Sequence, residues 1–329
     1  MIRTAMIALA IGLVAAPLQA SAAGRAMVRL ALGSGPAAVP AVVAQERGFF
    51  AQENLIVSGL SAPSARVAAD SLAAGSTDFA IVDQSGLLVM AALGTPVRVV
   101  ALSHWDAALD LIVPAGAGAT TSLAALGGQR IAVVDALGYA TLVRLLNTAG
   151  VGPDEVAIEM VGPAELGDAL RADAVDAALA PRPTILPLLQ DGSAERLLGH
   201  GQIVERLGLT SAQPLVVRAE LVERQPEVVQ RFLNAWIKAL VYINQDPADA
   251  AGLFQILQHR RGVRMPGAEA EAWLGTTRFD RYEWAAEDTQ DLQYNGWALV
   301  EARMLPALPP LDGLADNSFA ERAWQSLLQ

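Results

Sequence analysis

One short pattern occurs twice in this chain and limits its fold more than any other feature. Leu72-Ala-Ala-Gly-Ser-Thr-Asp-Phe-Ala-Ile-Val82 returns as Leu170-Arg-Ala-Asp-Ala-Val-Asp-Ala-Ala-Leu-Ala180, so that Asp78 and Asp176 hold equivalent places. In the first copy an Ala-rich helix stops at Gly75, a residue free to take the left-handed conformation that closes helices. Phe79 to Val82 is a short apolar run of the kind that forms a buried parallel strand. Asp83, Gln84 and Ser85 follow at the strand's carboxyl end, where open α/β sheets hold ligands. Two copies of a helix–turn–Asp–strand unit imply two similar lobes, with a ligand between their strand-end loops.

The 329 residues suit two ordinary domains, and 53% hydrophobic content is ample for two cores. A net charge of −11 gives no basic field for nucleic acid or an anionic membrane surface. Cysteine is absent, which removes disulfides, thiolate nucleophiles, Cys-based zinc sites and a lipidated Cys anchor. The amino terminus reads as a signal peptide: Arg3 precedes an apolar core from Ala5 to Ala16, Pro17 breaks it, and Ala20-Ser21-Ala22 or Ser21-Ala22-Ala23 offers cleavage. Residues 1–23 are therefore expected to be removed on export to the periplasm, leaving no membrane span.

Along the chain, Val28–Leu32 reads as the first strand and Gly33-Ser34-Gly35-Pro36 as a tight loop before a helix from Ala37 to Gln52. A second strand follows over Ile56–Gly59, then a helix capped by Ser61 or Ser64, the strand before Asp83, a helix over Gln84–Leu93, and strands over Val97–Leu102 and Leu109–Val113. The second lobe repeats the scheme, with strands at Arg130–Val134, Ile158–Val161 and Ala177–Ala180. Asp135 to Thr141 mirrors the Gly33–Pro36 loop. Gln213–Val217 reads as a strand returning to the first lobe. The boundaries taken are 24–113 plus 218–329 for the first lobe and 114–217 for the second. Beyond them, Val228, Val229, Phe232, Leu233, Trp236, Leu240 and Ile243 form a packing stripe at helical spacing. His259-Arg260-Arg261 reads as a solvated loop, with a partner contact as the alternative.

Three ordered stretches carry a resemblance. They are Ala44-x-Glu46-x-Gly48-x-Phe50-x-x-Glu53-x-Leu55, Ala73-Ala74-Gly75-x-x-Asp78-Phe79-Ala80, and Ser122-Leu123-x-x-Leu126-x-Gly128-x-Arg130-Ile131-Ala132-Val133. Together they resemble the periplasmic solute-binding proteins of the aliphatic-sulfonate, taurine and nitrate ABC importers, a group that includes binders of the thiamine pyrimidine precursor. The resemblance spans about Val28 to Pro247. It implies a type II periplasmic-binding-protein fold: two α/β lobes, joined by two hinge crossovers, close over a small solute and hand it to an inner-membrane permease. A monomer without cofactor or metal is expected. Departures stand at Ala125 and Gly127, where an acid and a Lys are common, and at Pro181-Arg182-Pro183, where relatives often offer an acidic or aromatic residue.

An oxyanion in such a cleft would meet backbone N–H groups near Ser34-Gly35, Ser64-Ala65 and Gly138-Tyr139. Hydroxyls of Ser34, Ser64, Ser85 and Thr141 and the Arg182 guanidinium would add donors, and Gln84 stands among the expected ligand-binding residues at the strand end. Asp83 and Asp106 would suit an amine, and His104, Trp105 and Tyr139 an apolar side. Each has a plainer reading. Asp83 caps the helix at Gln84, Arg182 pairs with Asp176 or Asp173, Trp105 packs, and His104 satisfies a local hydrogen bond. Enzymes on this architecture, desulfinases and thiamine-pyrimidine synthases, use cysteine, which the chain lacks. No Gly-x-Ser-x-Gly elbow marks a serine hydrolase. A sensory domain would need a separate signalling partner. The preferred expectation is a receptor for a small anionic or zwitterionic solute, with a neutral heteroaromatic as the alternative.

Overall fold

The computed structural model describes residues 24–33, 35–62, 65–105, 109–117 and 122–329. The expected signal peptide, Ser34, Ser64 and Asp106 lie outside the described residues. The first lobe opens with β1 (Ala26–Leu32), a 3-10 turn over Pro36–Ala38, α1 (Val39–Glu46), α2 (Phe49–Gln52), β2 (Leu55–Ser61), α3 (Ala65–Ala73), β3 (Phe79–Ile81), α4 (Gln84–Ala92) and β4 (Val97–His104). The helix expected over 37–52 is thus broken, because Gly48 takes φ +73° between α1 and α2. The second lobe comprises β5 (Leu109–Pro114), β6 (Arg130–Val133), α5 (Ala136–Asn147), β7 (Ala157–Met160), α6 (Leu166–Arg171), β8 (Ala177–Pro181), α7 (Arg182–Gln190), β9 (Ala194–Leu198) and α8 (His200–Leu207). The chain then returns as β10 (Gln213–Arg218) and continues through α9 (Ala219–Arg224), α10 (Pro226–Gln245), α11 (Pro247–Arg260), α12 (Gly267–Leu274), α13 (Ala286–Glu301) and α14 (Ser318–Leu327).

Among the described residues the strands form two five-stranded sheets, ordered β2-β1-β3-β10-β4 and β7-β6-β8-β5-β9. In each, the first three strands run parallel and the fourth is antiparallel to its neighbours. The antiparallel strand is, in both sheets, the one that the chain lays down just after crossing between lobes. This moves the expected boundaries. Leu109–Val113, assigned to the first lobe, belongs to the second sheet, where Leu111 and Ile112 are fully buried between β8 and β9. Gln213–Val217, read as a strand returning to the first lobe, does pair with β3 and β4 in the first sheet, so the boundary expected at 217 moves to before β10.

The repeated pattern explains how each sheet is set. Gly75 has φ +69° and its counterpart Asp173 has φ +51°, and each ends its helix in the left-handed region. The amide of Ser76 then donates to the carbonyl of Ser71, and that of Ala174 to the carbonyl of Ala169. The chain is thereby aimed so that Asp78 meets β1 at Arg29 and Asp176 meets the start of β6 at Arg130. Arg29 donates its amide, Nε and Nη2 to Asp78 at 2.9, 3.1 and 2.8 Å. Arg130 makes the same three bonds to Asp176 at 2.9, 3.1 and 2.7 Å. Arg218 at the end of β10 also donates to Asp78, at 2.8 Å, so that one carboxylate ties three strands. Burial alone would raise the Asp78 pKa, but these arginine bonds outweigh it and hold the carboxyl below its ordinary value.

Helices cover both faces of each sheet. On the first lobe, α1, α10 and α11 close one face over Phe79, Phe232 and Trp236. The rings of Phe79 and Phe232 stack at 4.0 Å, and Trp236 Nε1 donates to the Leu102 carbonyl at 2.9 Å. All seven residues of the expected stripe on α10 are buried. The other face carries α3, α4 and α13.

The Asp78 side chain is 10% exposed and that of Asp176 32% exposed. Asp78→Ala leaves two arginines facing a buried gap and is expected to cost about 3 kcal/mol or more. Asp176→Ala removes a more open pair worth about 1 kcal/mol. Urea denaturation of the two variants checks the order.

Candidate functional site

The carboxyl ends of the parallel strands in both sheets are turned toward one another, and the pieces that meet in the seam show it. Helix α4 starts just after β3 of the first lobe and α5 just after β6 of the second, and the two helices touch. Each is capped by an aspartate. Asp83 accepts from the Gly86 amide and Asp135 from the Gly138 amide, both at 2.6 Å. Each cap takes up a donor that a bound oxyanion would otherwise meet, and places a carboxylate at the seam. Burial first, and then the charge of Asp83 facing it from the other lobe, raise Asp135 to a pKa of about 6, against the pull of the Gly138 amide. The sequence places Asp83 at this edge and Asp135 in a loop; the Asp-x-x-Gly spacing of a helix cap is the signal that identifies Asp135.

Several expected site residues have partners within the protein. Gln84 is fully buried; its Nε2 donates to Asp291 at 3.2 Å, and its Oε1 accepts from Asn295 at 2.6 Å. Ser85 Oγ donates to Asp83 at 2.8 Å. Gly138, Tyr139 and Thr141 lie on α5 rather than in a loop, because the Asp135 cap starts the helix at Ala136. The Gly138 amide is already used, Tyr139 is half-buried among apolar side chains of both lobes, and Thr141 is buried with its hydroxyl unpartnered.

His104 ends β4 and is 5% exposed; burial depresses its pKa to about 3, so that it is neutral, beside the Ser103 hydroxyl and the Phe279 ring. Trp105 sits under the guanidinium groups of Arg278 and Arg281, 4.5 and 4.9 Å from its ring centre, and its Nε1 donates to Asp280 at 2.7 Å. Arg182 opens α7, and its Nε and Nη2 clamp Asp110 of β5 at 3.0 and 2.9 Å. Asp110 also accepts from Arg196 Nε and the His200 amide, so the expected pairing with Asp176 or Asp173 is replaced: Arg130 already holds Asp176. Burial alone would raise Asp110; these bonds hold its pKa below the usual range. Gly35 remains in the strand-end loop of β1, half-buried, and the Trp273 ring lies 3.8 Å from where a Cβ would stand on it.

A buried polar brace joins the lobes beside this edge, and sequence reasoning missed it. Arg144 of α5 donates to Asp291 and Asn295 of α13 at 2.6 and 2.7 Å, and to the Leu207 carbonyl at 3.0 Å. Asp291 Oδ2 also faces the amides of Thr210 and Ser211, in the segment that carries the chain back between lobes, at 3.2 and 3.3 Å. Gly296 lets α13 pack closely within its own lobe, since a Cβ there would run into Leu308 and stand 3.1 Å from Leu88 of α4. Across the sheet edge, a crevice of roughly 320 Å³ separates α7 from α12. Among the described residues no group of three or more His, Asp or Glu side chains could hold a metal, and no helix is long and apolar enough to cross a membrane.

The chain belongs to the NMT1/THI5-like family, whose model matches residues 36–250. No curated protein matches it. Among solved structures it is similar to the alkanesulfonate-binding protein SsuA from Xanthomonas axonopodis pv. citri bound to MOPS. That match has 20% identity and a TM-score of 0.71, over 90% of this chain and 99% of that one. The periplasmic nitrate-binding protein NrtA from Synechocystis PCC 6803 matches at 16% identity and TM-score 0.67, over 92% of this chain and 89% of that one. The desulfurization enzyme DSZB matches at 16% identity and TM-score 0.69, over 92% and 100%. At these identities the likeness is one of fold: two lobes of the periplasmic-binding-protein type, as the sequence resemblance implied.

The folded chain keeps the Asp135 proton up to about pH 6, whereas an unfolded aspartate releases it near 3.8. Between those values the folded state binds more protons, so this group's contribution to stability falls as pH rises through the window. Asparagine caps a helix without titrating. The melting temperature of Asp135→Asn minus that of the wild type is therefore expected to grow from about pH 4 to about pH 7; a constant gap would refute the raised pKa.

Proposed function

We propose that the protein is an extracytoplasmic receptor that traps a small zwitterionic or anionic organic solute between its lobes and delivers it, unaltered, to an ABC importer permease. The observation that carries this reading is the pair of aspartate caps, Asp83 and Asp135, brought to one seam from different lobes. A solute group held by both is held only when the lobes are together, which is what a closing receptor requires. Two carboxylates suit an ammonium end, so a taurine-like amino sulfonate fits better than nitrate. Export through an N-terminal signal peptide, a periplasmic location and a monomeric state complete the reading. The similar solved structures include a sulfonate binder and a nitrate binder. The catalytic alternative is disfavoured because the chain has no cysteine.

The same carboxyl pair favours one second reading. With Asp135 near its titration point, the seam offers both an acceptor for the amino group of an aminopyrimidine and an acid proton for its ring nitrogen.

A thermal-shift and calorimetry panel of taurine, ethanesulfonate, nitrate, a dicarboxylate and an aminopyrimidine separates these readings, since a ligand that binds only the folded state raises its melting point. Taurine is expected to give the largest shift, and Asp83→Asn to weaken it about tenfold or more, the loss of one charge-assisted bond. A shift with ethanesulfonate that equals taurine's removes the amine from the reading. Silence with every member refutes the receptor.

A further inference from the structure

The basic cluster at the end of α11 resolves into two side chains with different employment. Arg260 Nη1 meets Glu46 Oε1 of α1 at 2.6 Å on the surface. Arg261 turns the other way. Its amide closes α11 on the carbonyls of Leu257 and Gln258, and its Nη1 donates to the Gly33 carbonyl at 2.7 Å. Gly33 follows β1, and β1 lies beside β3 in parallel, so Gly33 stands on the same sheet edge as Asp83. Arg261 is thus a half-buried guanidinium delivered to the seam from the far end of the sequence.

What distinguishes it is the absence of a counter-charge. The arginines near this edge, Arg182, Arg278 and Arg281, hold Asp110, Asp280 and Asp288. Among the described residues Arg261 makes no ion pair, and its single side-chain hydrogen bond is to a neutral carbonyl. Burial depresses its pKa with no carboxylate to oppose the shift. A half-buried cation is costly to leave unpaired, and guanidinium forks match the oxygens of sulfonate, carboxylate or nitrate. The loop it touches leads into Gly35, whose neighbour Trp273 also lines the crevice between α7 and α12. Charge is therefore sorted along the seam, with aspartates at the α4–α5 contact and an unopposed arginine beside the β1 loop.

We propose that Arg261 receives the oxyanion head of the bound solute, its fork set in place by the Gly33 carbonyl. This rests on the seam being the solute site, and it adds the residue that selects for an anionic end. The test titrates the full-length mature protein with taurine, ethanesulfonate, nitrate, acetate and an aminopyrimidine by calorimetry. The wild type is compared with Arg261→Met, Arg261→Lys, Arg261→Gln and Arg260→Met. An oxyanion probe is expected to bind, to weaken about 10- to 100-fold in Arg261→Met, and to recover in part in Arg261→Lys. Arg260→Met should bind as the wild type does. Arg261→Gln keeps a donor for the Gly33 carbonyl without the charge, and decides the matter if the Met variant does not fold. Equal oxyanion affinity in the wild type and the uncharged variants overturns the assignment and leaves the receptor reading standing. Binding of the aminopyrimidine alone does the same. A wild type indifferent to every probe overturns both.

Discussion

The structure depends first on a carboxylate that accepts from both the backbone and the side chain of one arginine. At Asp78 and again at Asp176 this contact fixes β3 to β1 and β8 to β6, with a left-handed residue aiming the chain into place. Strand register follows from it, because the amide of Asp78 returns a bond to the Arg29 carbonyl and that of Asp176 to the Arg130 carbonyl. Register in turn decides where β3 and β8 end, and so where the seam-facing residues stand. The first lobe adds Arg218, which binds the returning strand into the same clamp. Stability and site geometry are here one problem with one solution.

Two charge arrangements meet at the seam and act differently. The brace of Arg144, Asp291, Asn295 and Gln84 is buried, and its groups satisfy one another. It holds α5 of one lobe to α13 and α4 of the other and leaves little for a ligand. Asp83, Asp135 and Arg261 have spare bonding capacity on the sheet edges. Gln84 directly follows Asp83, so the brace and the seam-facing cap share one helix start.

Much of the fold was legible because it is written in short-range patterns. The repeat predicted two lobes, the apolar runs predicted the strands, and the stripe from Val228 to Ile243 predicted the long buried helix. The lobe boundary was misplaced at Leu109 because antiparallel pairing with β8 and β9 leaves no local mark in an apolar strand. The site was harder for the same reason. Arg182 was visible, but its partner Asp110 lies 72 residues away, and no spacing rule links them. Asp135 carried a cap signature that a loop reading obscured. Arg261 looked like one member of a solvated basic cluster, and only the bond to Gly33, 228 residues earlier in sequence, separates it from Arg260.

The exchange of strands has a consequence for how the chain assembles. β5 to β9 form one uninterrupted stretch, whereas the first sheet keeps an empty slot between β3 and β4 that only β10 fills. During synthesis from the amino terminus the inserted lobe can complete its hydrogen bonding first. The outer lobe meanwhile carries two raw strand edges for more than a hundred residues of elongation, a template for unwanted pairing. The last helices, α10 to α14, emerge later still, yet they cover both faces of that outer sheet. The outer lobe is therefore finished by the tail of the polypeptide, and a chain cut short after β10 would leave its oldest strands only partly covered, by α1 on one face and α3 and α4 on the other.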